Sequence, residues 1–167
     1  MIEFILFRHA KTQPAKHGQS DHDRRLTPRG INDAKLVATK LYSLGARPDL
    51  ILHSDAQRCC ETLNAVQSIF NTPPASSIPE LYLAESHVVM AQANLMAATT
   101  DCKSILLIGH NPGLQLLAMD LANGQEENDI RIRMAFPTSA AAFYRRENDQ
   151  QDWALNTFIT PKELKHG

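Results

Sequence analysis

The chain has 167 residues, with 17 Lys+Arg against 18 Asp+Glu and a formal net charge of -1. That length fits one globular domain, residues 1–167, and 43% hydrophobic residues suffice for a sizeable core. The charge balance argues against a broad nucleic-acid-binding face, and no apolar run approaches the ~18 residues of a membrane span.

The first predicted element is the apolar run Ile2 to Phe7, interrupted only by Glu3. Met1-Ile2-Glu3 lacks a basic n-region, so no signal peptide is expected there. Thr27-Pro28 reads as the N-cap and first position of a helix. Ile31, Ala34, Ala38, Leu41 and Tyr42 give that helix one apolar face, and Gly45 ends it. Leu50 to Leu52 is a second buried strand. Ser54-Asp55-Ala56-Gln57 then has the spacing of a capping box for a helix through Leu63, Val66, Ile69 and Phe70, stopped by Pro73-Pro74. A third helix starts near Ser86, with Val89, Ala93, Met96 and Ala97 inward. Ile105 to Ile108 is a third buried strand. Asn111-Pro112 opens a fourth helix, with Leu114, Leu117, Ala118 and Leu121 inward and Gly124 at its end. Ala140 to Tyr144 and Trp153 to Ile159 read as a late strand pair. Continuous apolar strands separated by helices predict an α/β layer fold on a mostly parallel sheet.

The cysteines point away from thiol and metal chemistry. Cys59 and Cys60 are adjacent and Cys102 is distant, which is neither a disulfide framework nor a CxxC pair. Neither thiol begins a Cys-x5-Arg phosphate loop, because Ala65 and Val66 stand where Arg is needed. Three free thiols fit a reducing, cytoplasmic setting.

Each buried strand ends in polar residues: Arg8-His9, then His53-Ser54 with Arg58 on the following helix, then Gly109-His110-Asn111. Ligands of open α/β sheets bind beyond the carboxyl ends of the strands. If the three strands are parallel neighbours, Arg8, His9, Arg58 and His110 converge at one rim. Two arginines can fork onto phosphoryl oxygens, amides at the start of the helix after Ser54 can add positive charge, and a neutral imidazole can attack phosphorus. Taken singly, the same residues also suit a solvated loop, an exposed helix position and a helix cap. Their joint placement favours a site.

These residues resemble known motifs. Phe7-Arg8-His9-Ala10-Lys11 resembles the Arg-His-Gly signature of the histidine phosphatase superfamily, also called phosphoglycerate-mutase-like, with Ala10 in place of Gly. Ser54-Asp55-Ala56-Gln57-Arg58 with Glu61-Thr62 resembles its second-arginine motif, and Ile108-Gly109-His110-Asn111-Pro112 its second-histidine motif. Ser20 to Thr27 and Thr138-Ser139-Ala140 resemble segments of the small SixA-type phosphohistidine phosphatases. The resemblance spans nearly the whole chain. It implies a three-layer α/β/α fold with a minimal cap. It makes His9 the nucleophile and gives Arg8, Arg24, Arg58 and His110 to the phosphate. Many members place a Glu or Asp after the third strand region; here Glu80 and Glu85 flank Leu81 to Ala84 outside any motif. Glu85 is taken as the general acid, with the start of the following helix as its alternative role, favoured there by the dipole. No metal or cofactor is required.

Size bears on the substrate. Only 14 residues separate His9 from Arg24, and about thirty separate the second helix from the third apolar strand, which leaves little chain for a lid. An open site suits a phosphorylated side chain on another protein and excludes water poorly, unlike a mutase. The expected function is a phosphohistidine phosphatase acting, as a monomer, on a His-containing phosphotransfer domain or similar carrier. The alternatives are a small-molecule phosphomonoesterase of the same superfamily and a non-catalytic phosphoryl-binding protein.

Overall fold

A computed structural model describes residues 1–122, 127–148 and 150–166. The predicted helix end at Gly124 lies outside the described residues.

Strand β1 (Glu3–Arg8) lies at the centre because nothing on either of its faces needs water. Phe4 and Leu6 join one core cluster, and Ile5 and Phe7 the other. Full burial of each such side chain contributes about 1.5–3 kcal/mol. The polar interruption, Glu3, accepts from Arg145 Nε at 2.9 Å and from Ser104 Oγ at 3.0 Å, so it ties β1 to both neighbouring strands. Strand β2 (Leu50–His53) is likewise wholly buried, and its neighbour β3 (Ala75–Ser77) is a short edge strand. Strand β4 (Ser104–Gly109) is buried at every position, β5 (Ala141–Arg145) nearly so, and β6 (Ala154–Ile159) has a half-exposed edge pattern.

Among the described residues these strands form one sheet in the order β3-β2-β4-β1-β5-β6. The pairs β3·β2, β2·β4 and β4·β1 are parallel, and β1·β5 and β5·β6 are antiparallel. The three predicted buried strands are therefore parallel neighbours, and the late pair forms the antiparallel edge. The sequence pattern does not reveal β3, because Ala-Ser-Ser carries no apolar signal.

Helices cover both faces. One face holds α1 (Pro28–Ser43) and α2 (Gln57–Val66), whose Val37, Leu41, Leu63 and Val66 meet Ile5, Phe7 and Ile51. The other holds α3 (Ser86–Thr100), α4 (Gly113–Leu121) and Ile132 of α5 (Glu127–Met134), packed on Phe4, Leu6 and Leu107. A last helix, α6 (Pro161–His166), adds Leu164 to the first face. This is the expected three-layer α/β/α arrangement. α5 and α6 escape the sequence pattern, α5 because its short polar stretch has no periodic apolar face.

Local chemistry sets the helix starts. Thr27 Oγ1 accepts from the Gly30 N–H at 2.9 Å, the predicted cap of α1. Gly30 is required there, since a Cβ would stand 2.4 Å from the Lys11 carbonyl oxygen. The predicted capping box of α2 does not form. Ala56 is the N-cap, and Ser54 Oγ turns instead to His110. The helix also tightens into a 3-10 turn at Gln67–Phe70 before the prolines, rather than continuing as α-helix.

Candidate active site

The carboxyl ends of β1, β2 and β4 meet at one rim, and the turns that leave them carry the polar cluster. His9 follows β1. Its backbone N–H donates to the Gly109 carbonyl at 3.0 Å, which fastens it to the end of β4. Its ring is buried at 8% exposure, and Nδ1 lies 2.9 Å from the Ala10 carbonyl oxygen. A carbonyl only accepts, so Nδ1 carries the hydrogen and Nε2 keeps its lone pair. Burial pushes the His9 pKa down to about 4; the Ala10 bond opposes this, and the positive charges of Arg58, Arg8 and Arg24 add to it. The ring is neutral at pH 7.

Arg58 sits on the first turn of α2 and is 3% exposed. Its Nε donates to His110 Nδ1 at 3.3 Å, while its NH1 and NH2 reach the Asp21 carbonyl at 2.7 Å and Asp21 Oδ2 at 3.1 Å. A guanidinium has no acceptor, so His110 Nδ1 accepts and its proton is on Nε2. That Nε2–H donates to Ser54 Oγ at 2.9 Å. Burial, then His9 and Arg58, push the His110 pKa down to about 3. The two imidazole rings lie 5.2 Å apart, centroid to centroid. Arg8 NH1 donates to the Phe136 carbonyl at 2.7 Å, and its buried Nε has no partner, leaving a donor in reserve at the rim.

The structure thus brings His9, Arg8, Arg58 and His110 together. Arg24 joins from the loop between β1 and α1. Its NH1 meets Asp21 Oδ1 at 3.0 Å, its NH2 donates to Thr12 Oγ1, and its Nε and NH2 reach the Gln13 carbonyl at 3.2 Å. Glu85 does not join. It is the N-cap residue of α3, its carboxylate is 81% exposed, and its ionic neighbour is His87 at 3.4 Å. Its position at the helix start agrees with the dipole, but its side chain meets none of the cluster. Glu80 is also exposed. The first amide of α2 is spent as well. Gln57 N–H donates to the His22 carbonyl at 3.0 Å, so it pins the loop rather than facing a phosphate.

Several residues that sequence reasoning passed over build the surroundings. Thr62 Oγ1 accepts from the Ala10 N–H at 3.0 Å and donates to the Arg58 carbonyl at 2.6 Å, which locks the two catalytic-motif segments together. The Glu61 carboxylate accepts from Arg25 Nε and from the Leu26 N–H, both at 2.7 Å, and so holds the Arg24 loop. Ser139, at φ 62°, donates its N–H to the carbonyls of both Arg8 and His9 at 3.2 Å. Tyr82 stands over the mouth. Its ring is edge-on to His110 at 5.5 Å, and its hydroxyl donates to Asp21 Oδ2 at 2.9 Å. The only advance signals were Glu61-Thr62 and Thr138-Ser139 within the motifs; Asp21 had a motif position but no role, and Tyr82 had none. Among the described residues, no group of three or more His, Cys, Asp and Glu is placed to hold a metal ion. Burial pushes the Cys59 thiol up to about 12, which removes it as a nucleophile.

A layered α/β scaffold with arginines and a neutral histidine at its strand ends defines a phosphoryl-handling protein. Residues 4–85, which contain His9, Arg8, Arg24 and Arg58, match the model of the histidine phosphatase superfamily (branch 1). A provisionally assigned phosphohistidine phosphatase SixA from Agrobacterium tumefaciens shares 34% identity and a TM-score of 0.81, over 96% of this chain and 98% of that one. The chain belongs to the histidine phosphatase superfamily. It is a phosphatase of the hydrolase class, in a family that needs no metal. The phosphohistidine phosphatase SixA of Escherichia coli K12 is 27% identical over 166 residues, 98% of this chain and 97% of its own length. An uncharacterized chloroplastic protein of Arabidopsis thaliana is 36% identical over 126 residues, 71% of this chain; the match spans 58% of that relative's length.

Proposed function

We propose that this protein removes phosphate from a phosphohistidine on a signalling or phosphotransfer protein, through a covalent phosphohistidine on His9. The observation that carries the reading is the 2.9 Å bond from His9 Nδ1 to the Ala10 carbonyl, which leaves the Nε2 lone pair within a ring of positive groups. Nε2 attacks phosphorus, the leaving group departs opposite, and water later hydrolyses the phosphoenzyme. Arg8, Arg24 and Arg58 take the phosphoryl oxygens, stabilising charge that spreads over them in the transition state. His110 orients Arg58 through its Nδ1 and reaches a phosphoryl oxygen with Nε2–H once Ser54 releases it.

Three observations support phosphohistidine as the substrate. Glu85 lies in solvent, so the cluster lacks an acid for a poor leaving group, and an imidazole leaves more readily than an alkoxide. Residues 71–103 form an edge strand, a 3-10 turn and α3 that belong to the layered fold, and of them Tyr82 meets the cluster, through Asp21 and His110. Similarity to proteins named phosphohistidine phosphatase SixA points to the same chemistry. The partner is a His-containing phosphotransfer domain or a similar carrier, met by a monomer in a reducing cytoplasm where Cys59, Cys60 and Cys102 stay free thiols.

Rapid quench with a labelled phosphohistidine protein tests the reading. Acid-labile, base-stable phosphate is expected on His9, and His9→Ala is expected to abolish turnover with the fold intact. Full activity in His9→Ala ends the mechanism. Preference for sugar phosphates over the phosphoprotein assigns the protein to small-molecule phosphomonoesters, and binding without turnover makes it a phosphoryl-binding protein.

A further inference from the structure

We propose that Asp21 is a specificity-determining residue: its carboxylate selects phosphoryl groups carried on a protonated ring nitrogen over phosphomonoesters. This rests on the phosphohistidine reading above and adds the residue that enforces it.

Among the described residues, Asp21 is the one carboxylate bonded to the arginines of the cluster. Oδ1 meets Arg24 NH1 at 3.0 Å, and Oδ2 meets Arg58 NH2 at 3.1 Å and the Tyr82 hydroxyl at 2.9 Å. Its own carbonyl accepts from Arg58 NH1 at 2.7 Å, so backbone and side chain are both held. The side chain is nonetheless 48% exposed, while that of Arg58 behind it is 3% exposed. Asp21 therefore stands between the buried Arg58 guanidinium and solvent. The hydrogen bond from Arg24, opposed by partial burial and reinforced by Tyr82 and Arg58, holds its carboxyl below the usual range. It is an anion and a hydrogen-bond acceptor, not a proton donor.

That chemistry suits one leaving group. A phosphohistidine protonated on its second ring nitrogen needs no acid. The His9 Nε2–phosphorus bond forms as the phosphorus–nitrogen bond breaks, and the bonding pair returns to the ring nitrogen. The imidazolium becomes a neutral imidazole that keeps its proton on the far nitrogen. Asp21 accepts the hydrogen bond from that far N–H and offsets the ring's positive charge. A phosphomonoester offers no such N–H and no positive ring, so the repulsion between the carboxylate and the phosphoryl oxygens, common to both classes, is offset only for phosphohistidine. A repulsion felt by both classes and an attraction felt by one produce selectivity from a single side chain. The ring's charge is largest in the bound substrate and fades as the bond breaks, so the effect falls mainly on KM.

Steady-state kinetics of the wild type, Asp21→Asn and Asp21→Glu on phosphoimidazole and phenyl phosphate decide the matter. Asp21→Asn is expected to lower kcat/KM for phosphoimidazole about tenfold, mostly through KM, the size of one charge-assisted hydrogen bond. The same variant is expected to raise kcat/KM for phenyl phosphate, and Asp21→Glu to keep the wild-type order of preference. Equal loss on both substrates overturns the proposal, because Asp21 then only holds Arg24 and Arg58 in place. A preference ratio that does not move also overturns it. A wild-type protein that cannot turn over phosphoimidazole at all removes the phosphohistidine reading together with this one, whereas good wild-type turnover with an unmoved ratio removes Asp21 alone.

Discussion

His9 depends on two opposite demands on its ring. It is buried and so neutral among three arginines, and in the proposed mechanism it must still offer one nitrogen to phosphorus. Burial meets the first, and the bond to the Ala10 carbonyl meets the second, since it satisfies Nδ1 and leaves the lone pair on Nε2. The attacking form is therefore the neutral one, and it persists down to about pH 4. The rate of phosphoenzyme formation, corrected for substrate ionisation, is expected to fall on the acid side with a midpoint near 4 rather than near the ordinary histidine value; an acid limb near 6.5 contradicts the buried ring. Arg58 carries a different load, because its guanidinium already bonds His110 and Asp21 and, in the proposed mechanism, also takes a phosphoryl oxygen. Arg58→Ala is expected to reduce kcat/KM on every substrate by ~10^2-fold or more, as loss of an oxyanion donor does. Arg58→Lys should restore only part, since a point charge cannot reproduce the fork. Parallel measurement of both variants on a phosphohistidine protein and an aryl phosphate checks this.

At the scale of elements, the site is only as precise as the helix starts that frame it. The N-terminus of α4 passes so close to the segment before α3 that a Cβ at Gly113 would stand 1.9 Å from the Ala84 carbonyl oxygen. Backbone cannot yield there as a flexible side chain can. Gly113→Ala is therefore expected to cost about 1–3 kcal/mol or more and to displace the turn that carries His110. Urea denaturation measures the first effect and phosphate affinity the second. Thr27→Ala removes the cap of α1, a hydroxyl that bonds the Gly30 N–H and the Lys11 carbonyl rather than any member of the cluster, and should cost about 1 kcal/mol with little change in kcat/KM. A variant pair that instead loses activity and stability in proportion would show that the rim has no separate dependence on α4.

For the whole molecule, the two buried imidazoles make stability depend on pH. Both titrate near 6.5 when exposed in the unfolded chain, but only near about 4 and about 3 when folded. Between those values the unfolded state binds more protons, so stability rises with pH and is lost as pH falls from 6.5 toward the folded values. The urea midpoint is expected to be higher at pH 7 than at pH 5, and the slope to flatten in a His9→Asn, His110→Asn double variant. A continuous sheet with core on both faces should also unfold in one cooperative transition. Exhaustive chelation is expected to leave turnover intact, because guanidinium groups supply the charge compensation that a metal would. Loss with EDTA and recovery with a divalent ion would refute that.

Much of this was legible in the residues. Ile2 to Phe7, interrupted only by Glu3, Leu50 to Leu52 and Ile105 to Ile108 are short apolar runs between turn residues, and with the helices that separate them they pointed to an α/β layer fold on a mostly parallel sheet; the three-layer form and the minimal cap came from the family resemblance. Parallel strands share one carboxyl end, which is why Arg8, His9, Arg58 and His110 could be placed at one rim before any coordinates. Tertiary structure decided what depends on distance. Ser54 has the spacing of a helix cap, yet its hydroxyl oxygen accepts from His110 Nε2 and from the Ala56 N–H, and Ala56 takes the N-cap position. Glu85 has the right chemistry for an acid, but its place at the start of α3 directs the carboxylate to solvent and His87. Asp21 and Tyr82 are 61 residues apart in the chain and make one 2.9 Å hydrogen bond over the mouth. Local patterns record which face of an element is buried; they hold no record of which polar groups, far apart in sequence, the packing brings within reach of one another.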